Sequence, residues 1–246
     1  MVPMMFSRHP WTLVFMVIAI GSTFGLANRP PGSAQAAFSI IGTFPDVPFS
    51  HTNYDAVEYL VNKGIVSGYH DGTFKPEHAI NRAEFTKIVI GVLFTPLDIE
   101  GCLATIPTSR MYTRTLIFSD VARHQWFAKY VCQAKVGGMI GGYPDGTFRP
   151  GIDINFTEAA KILAHGFSPS AIAPSDSSAW YEPFVLFLEL RRAIPPSIKS
   201  FDQILTRGEM AEMAYRLHAD IRHLHSPAYD KLTSNKSPLP PEGGEG

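Results

Sequence analysis

The chain has 246 residues, a formal net charge of −1, 45% hydrophobic and 17% charged residues, 20 glycines, 20 prolines and two cysteines. This composition excludes a collagen, a charged disordered tail and a cysteine-stapled miniprotein. It also argues against nucleic acid as a partner, because binding through phosphates requires a clustered excess of Lys and Arg.

The N-terminus has the three parts of a secretory signal peptide. Arg8 and His9 precede an uncharged apolar run from Trp11 to Ala27, and Ala34-Gln35-Ala36 follows two prolines and a glycine. A positive start, an apolar stretch and a small-x-small triplet are typical of such a signal. We predict that residues 1–36 are cleaved and that the exported chain then has no contact with the membrane. A retained anchor is the alternative, because the run approaches the roughly 20 apolar residues that span a bilayer.

A repeat organises the rest of the chain. Three separated blocks recur at a constant offset of 74 residues: 44–47 at 118–121, 68–76 at 142–150, and 80–84 at 154–158. A weaker third copy begins near Trp180 and includes Leu205-Thr-Arg-Gly-Glu209. In that copy Ala193-Ile-Pro-Pro-Ser197 replaces the glycine-rich loop.

Each copy has the pattern of a helix, a loop and a second helix, which predicts a mainly α fold. Apolar residues recur at helical spacing on both sides of each loop, for example from Tyr54 to Val61 and from Phe85 to Val92. We place the three repeats at 37–93, 118–170 and 171–222. The stretch 94–117 is predicted to be a connecting loop, and the Pro- and Gly-rich end, 223–246, a disordered tail.

The glycine-rich loops and the starts of the second helices have local explanations. Asp-Gly at 71–72 and 145–146 favours a turn, and one Asp before the Gly is too few ligands for a calcium loop. Asn81 with Glu84, Asn155 with Glu158 and Thr206 with Glu209 are predicted capping boxes, so these glutamates are interpreted as structural.

The two cysteines, Cys102 and Cys132, are predicted to form one disulfide. Thiols tend to be oxidised outside the cytoplasm, and Cys102 on a loop could reach Cys132 on a helix. Two buried free thiols are the alternative. No metal site is expected at these cysteines, nor among His218, Asp220, His223 and His225, because neither set has ligand spacing on one face.

The three motifs Phe-x-Asp-Val, Gly-Tyr-x-Asp-Gly-Thr-Phe-x-Pro and Thr-Arg-x-Glu, spaced as here, resemble the S-layer homology repeat of bacterial cell-surface proteins. The resemblance implies three helix-loop-helix repeats in a pseudo-threefold arrangement around a central helical bundle. It also implies grooves between repeats that bind cell-wall polysaccharide, often ending in a pyruvate-ketal sugar.

The resemblance assigns the anionic group to Arg82 and Arg207, which hold the Arg position of the third motif. A guanidinium at a helix start offers two parallel donors to a carboxylate, in a place that already favours negative charge. The alternative is a surface salt bridge of little energetic value. Phe156 stands at the Arg position of the second repeat, and the third repeat lacks its loop, so we expect fewer working sites than three.

The loop residues and two tryptophans are the remaining candidates for contact with a glycan. The loop residues form the turn or the groove wall, and the tryptophans stack on sugars or act as hydrophobic anchors. These candidates are Gly68, Tyr69, Asp71, Gly142, Tyr143, Asp145, Trp126 and Trp180.

The sequence contains no nucleophile elbow, phosphate-binding glycine loop or His-Glu-x-x-His motif, so we expect no catalysis and no cofactor. The leading hypothesis is an exported, noncatalytic protein of the cell wall or cell surface that binds wall polysaccharide or a peptidoglycan-linked glycan. The alternative is a structural or assembly protein of the envelope or S-layer that contacts other envelope proteins. An envelope glycan hydrolase is the third hypothesis, and it would need a carboxylate pair in a cleft.

Overall fold

The computed structural model describes residues 42–106, 117–168 and 179–233. The predicted signal peptide, 1–36, lies outside the described residues, as does the end of the chain from 234. Seven α-helices and a short 3₁₀ helix are present in the described ranges, which confirms the mainly α fold. The α-helices are α1 (Tyr54–Asn62), α2 (Arg82–Leu93), α3 (Pro96–Thr105), α4 (Ala128–Val136), α5 (Phe156–Phe167), α6 (Glu182–Leu190) and α7 (Arg207–His218).

The helices pack in a cyclic order. Each repeat contributes one pair of helices: α1 with α2, α4 with α5, and α6 with α7. The first helix of each pair contacts the second helix of the pair before it, so that α4 packs on α2, α6 on α5 and α1 on α7. The second helices α2, α5 and α7 are buried along most of their length, and α2 contacts the other two. One apolar core therefore runs through all three pairs.

A closed ring of backbone hydrogen bonds joins the three pairs just before their second helices. The Ile80 N–H donates to the Leu205 carbonyl over 3.0 Å, the Leu205 N–H to Ile154 over 2.9 Å, and the Ile154 N–H to Ile80 over 3.0 Å. All three side chains are fully buried. The pseudo-threefold arrangement of whole repeats stays a prediction, and this ring and the cyclic packing support it.

The helix starts follow the predicted capping only in part. Asn155 with Glu158 and Thr206 with Glu209 form complete capping boxes. At α2 the Asn81 side chain accepts the Glu84 N–H over 2.9 Å. The Glu84 carboxylate instead lies near Arg207, so this glutamate is more than a cap.

The stretch 94–117 contains helix α3, so the predicted connecting loop was wrong for this part. Thr95 and Asp98 form a capping box and Pro96 occupies the first helical position, both of which favour a helix start. Cys102 therefore lies on a helix, and the structure joins it to Cys132 in a disulfide with the Cα atoms 6.1 Å apart. The disulfide holds α3 against α4.

The chain from 223 to 233 is ordered against the third pair, which corrects the predicted start of the disordered tail. A 3₁₀ helix spans Tyr229–Lys231, and Leu232 is buried. The Phe201 N–H donates to the Thr233 carbonyl over 3.0 Å.

Within the described ranges no single helix is long and apolar enough to cross a bilayer. Only α2 and α3 taken together pass that test, and they are bent by 117° relative to each other.

Candidate functional site

Each glycine-rich loop is a tight turn anchored by the first motif of its own repeat. In the first loop the Tyr69 N–H donates to the Thr73 carbonyl over 2.8 Å. The Asp46 carboxylate accepts the backbone N–H of Phe74 over 2.9 Å and that of Lys75 over 2.7 Å. Asp120 accepts from residues 148 and 149 in the same way. The Asp of Phe-x-Asp-Val is therefore a loop anchor.

The glycine before each loop tyrosine leaves room for the Phe of the same motif. A Cβ atom on Gly68 would lie 2.4 Å from the Phe44 ring, and one on Gly142 would lie 2.2 Å from the Phe118 ring. Gly142 also has a φ of +89°, a conformation that favours glycine. These two residues shape the loop, and Gly68 also lines a cavity described below.

Asp71 and Asp145 are also loop formers. The Asp145 carboxylate accepts the Thr147 N–H over 3.0 Å and the Thr147 hydroxyl over 2.6 Å, and it pairs with Arg149. These hydrogen bonds, the Thr147 hydroxyl foremost, lower the pKa of Asp145 from 3.8 to about 2. The pKa of Asp71 is lowered for the same reason by Thr73 and Lys75.

Arg82 and Arg207 cross into the loop of a neighbouring repeat, where they are almost fully buried, at 2% and 5% exposure. The Arg82 Nε donates to the Phe148 carbonyl over 3.0 Å, and the Arg207 Nε to the Phe74 carbonyl over 2.9 Å. The alternative of a salt bridge at the surface was wrong about the location, because both side chains are buried, although each has a glutamate within 4 Å. Each guanidinium group is therefore held in place by a hydrogen bond to a loop carbonyl.

Aromatic rings of the loops flank both guanidinium groups. Arg207 lies 4.6 Å from the Tyr69 ring centre and 4.8 Å from that of Phe74. Arg82 lies 5.0 Å from Tyr143 and 5.2 Å from Phe148. Such cation–π contacts stabilise a buried guanidinium and hold the tyrosine rings in place.

A glutamate lies near each of these arginines, and a lysine on the same helix as each glutamate lies near a tryptophan. Arg207 Nη1 lies 3.8 Å from Glu84, and Arg82 Nη1 lies 3.6 Å from Glu158. The ammonium groups of Lys87 and Lys161 lie 5.8 and 5.5 Å from the rings of Trp126 and Trp180 respectively. Sequence reasoning missed both lysines as site residues, although they too are separated by the repeat offset of 74 residues.

The groove between the first and second repeats contains a cavity of about 400 Å³, which we call groove 1. Its lining includes Tyr69, Glu84, Lys87, Trp126 and Arg207. Trp126 is 54% exposed, so about half of its side chain is accessible to a ligand. One carboxylate and two permanent cations give the lining a net positive charge, and the volume is that of an ordinary small-molecule site. Groove 1 can therefore hold an anionic ring-shaped ligand.

The two departures from the repeat pattern meet in one groove. The Phe156 N–H donates to Gln203 over 2.8 Å, in the same way that the Arg82 N–H donates to Ile152 over 2.9 Å and the Arg207 N–H to His78 over 2.9 Å. Residue 156 therefore faces the third repeat, which lacks the glycine-rich loop.

In the third repeat, aromatic side chains pack around Phe201, close to Phe156. The last described residues of the chain pack there too. The ring of Phe201 lies 4.8 Å from Tyr181 and 5.0 Å from Tyr229, measured between ring centres. Gln203 donates to Glu209 over 2.8 Å, where the other grooves have an Arg–Glu pair. The loop of the second repeat is contacted by Arg82 of the first repeat, whose Nε donates to the Phe148 carbonyl.

Comparison with known proteins identifies two of the repeats. The family model described as S-layer homology domain matches residues 43–86 and 117–160. Among similar proteins, "Cell surface glycoprotein 1" of Acetivibrio thermocellus is 34% identical over 122 residues, which is 49% of this chain and 5% of that protein. "S-layer protein sap" of Bacillus anthracis is 30% identical over 125 residues, 51% of this chain and 14% of that protein.

"Cellulosome-anchoring protein" of Acetivibrio thermocellus is 33% identical over 121 residues, 49% of this chain and 25% of that protein. The matched region thus spans a quarter or less of each of these three relatives.

Proposed function

We propose that the chain, two repeats of which match the S-layer homology family model, is a noncatalytic cell-surface protein that binds bacterial cell-wall polysaccharide. The ligand is an acidic wall glycan, with a pyruvate-ketal sugar as the terminal group. The observation that carries the proposal is groove 1, whose lining brings a fixed guanidinium, a lysine, a tyrosine and a tryptophan to one place. The next repeat has the corresponding contacts, Arg82 with Tyr143 and Lys161 with Trp180.

The geometry of groove 1 suits a sugar that bears a carboxylate. Arg207 Nη1 is 3.8 Å from Glu84, which is beyond hydrogen-bond distance, so a ligand carboxylate can accept from this nitrogen without displacing a hydrogen bond to Glu84. Lys87 is half-buried, lines the same cavity and supplies a second cation. The half-exposed ring of Trp126 offers a face for stacking on the sugar.

A noncatalytic role agrees with the composition of groove 1. Its described lining includes one carboxylate, that of Glu84. Glycoside hydrolysis by the usual routes needs two carboxyl groups on either side of the scissile bond. The groove is therefore better suited to binding a glycan than to cleaving it.

Co-sedimentation of the purified protein with cell-wall sacculi tests the proposal. The double variant Lys87→Ala with Lys161→Ala removes one cation from each groove, and we expect roughly tenfold weaker binding, because charge-assisted contacts contribute about 1.5–3 kcal/mol each. Trp126→Ala should weaken binding with little change in melting temperature, since the side chain is half exposed. Competition by a soluble pyruvate-ketal monosaccharide should release the protein from the sacculi.

The matched control is Lys199→Ala with Lys231→Ala, which makes the same charge change outside groove 1 and should bind as the unchanged protein does. Equal sedimentation of the groove variant and the control would contradict the proposal. Association that persists after chemical removal of wall polysaccharide would instead favour the alternative, an assembly protein that contacts other envelope proteins.

A further inference from the structure

Groove 1 continues into a second cavity that is built by helix α3. This extension has a volume of about 320 Å³ and shares Ile65, Val66, Ser67 and Lys87 with groove 1. Glu84 and Lys87 line groove 1, and Lys87, Gly91 and Phe94 line the extension. Glu84, Lys87 and Gly91 are spaced three or four apart on α2, so they lie on one helical face, and Phe94 follows directly after the helix. At 1.5 Å per residue the face from Glu84 to Gly91 runs for about 10 Å.

Helix α3 supplies one wall of the extension. Pro96, Ile99 and Glu100 line it, and they belong to the stretch inserted between the first two repeats. The disulfide from Cys102 ties α3 to α4, and the Arg123 Nη1 donates to the Ile106 carbonyl over 3.1 Å at the end of α3. The wall is therefore held in place before any ligand binds, which lowers the entropic cost of binding.

The extension carries more positive charge than groove 1 alone. Lys63, Lys87 and Lys129 line it, against the single carboxylate of Glu100, which pairs with Lys129. The Tyr130 ring and the Phe94 side chain add apolar surface to the same lining. Cations beside aromatic faces are the combination that groove 1 already offers to an acidic sugar.

We propose that the extension is a second subsite, which binds the sugar residues that follow the terminal acidic sugar on the same glycan chain. This inference rests on the function proposed above, in which groove 1 holds that terminal sugar. The two cavities are continuous, share Lys87 and both have a net positive charge. One anionic glycan chain can therefore occupy both. Long wall glycans should therefore bind more tightly than their terminal sugar alone.

Calorimetric titration with two probes tests the subsite. The probes are a pyruvate-ketal monosaccharide and a trisaccharide that ends in the same sugar. For the unchanged protein we expect the trisaccharide to bind roughly threefold or more tightly, because each added surface charge contact contributes modestly. In Lys63→Ala with Lys129→Ala this advantage should disappear, while the affinity for the monosaccharide stays unchanged.

The control Lys199→Ala with Lys231→Ala should keep the advantage of the trisaccharide. Equal affinities of the two probes for the unchanged protein would overturn the subsite, and so would an advantage that survives in the Lys63 and Lys129 variant. Equal weakening of both probes by that variant would also overturn it, because it would indicate a long-range charge effect. If the unchanged protein binds neither probe, the proposed ligand of groove 1 is wrong and the subsite with it. Lys63→Met with Lys129→Met keeps the aliphatic stems and replaces the alanine variant if that variant melts early.

Discussion

Replacing Arg82 with alanine should destabilise the fold by about 3–5 kcal/mol. The substitution removes a hydrogen bond from a charged donor to the buried Phe148 carbonyl, which contributes about 1.5–3 kcal/mol, because that carbonyl is left without its partner. It also removes two cation–π contacts, which together contribute about 1–2 kcal/mol. The ion pair with Glu158 adds least, since its 3.6 Å separation exceeds hydrogen-bond distance.

Urea denaturation followed by tryptophan fluorescence measures this loss, and calorimetry should show the melting temperature falling by roughly 10 °C, since a domain of this size shifts by about 2–4 °C per kcal/mol. Arg222→Ala is the matched control. Its guanidinium is 43% exposed and pairs with Asp220, so the loss should stay below about 1 kcal/mol. Equal losses in the two variants would refute the interpretation of Arg82 as a buried brace between repeats.

Three further predictions follow from single contacts. Phe156→Arg should not increase binding to sacculi, and it should lower the free energy of unfolding by roughly 3 kcal/mol or more, because a fully buried ring is replaced by a charge at a position that faces no glycine-rich loop. Replacing Cys102 and Cys132 by serine should cost about 3–4 kcal/mol in urea denaturation, the loop-closure value for a separation of 30 residues. Carbon-detected NMR titration should place the Asp145 pKa at about 2, so its contribution to stability is complete above pH 3.8 and is lost as the pH falls through 2. Thr147→Val should raise that pKa, because the Thr147 hydroxyl is the main cause of the shift.

Local patterns predicted much of this fold. The constant offset of 74 residues identified the repeats, and the Asn155–Glu158 and Thr206–Glu209 pairs identified two complete helix starts. These features depend on residues that are close in sequence. Helix α3 was missed although Thr95, Pro96 and Asp98 form a complete start signal, because the stretch after them has no clear apolar periodicity.

The composition of the grooves was harder to predict because its contacts are distant in sequence. The Arg82 side chain meets a carbonyl 66 residues away, and the Arg207 side chain meets one 133 residues away. The motif places each arginine beside its own helix start, which suggested an open guanidinium. Only the packing of one repeat on the next shows that the guanidinium is buried and that Lys87 and Lys161 are the other cations of the grooves.

The same packing explains why Phe156 and the stretch without a glycine-rich loop meet in one groove. An arginine at position 156 would point at the third repeat, which lacks the glycine-rich loop whose carbonyl accepts from Arg82 and Arg207 in the other two places. A buried guanidinium without those partners would cost several kcal/mol, whereas a phenylalanine packs there as a neutral apolar group. Conversely, a loop in the third repeat would leave its own carbonyl unpaired against Phe156. Phe156 and the missing loop therefore belong to the same groove. The loops that Arg82 and Arg207 contact are intact.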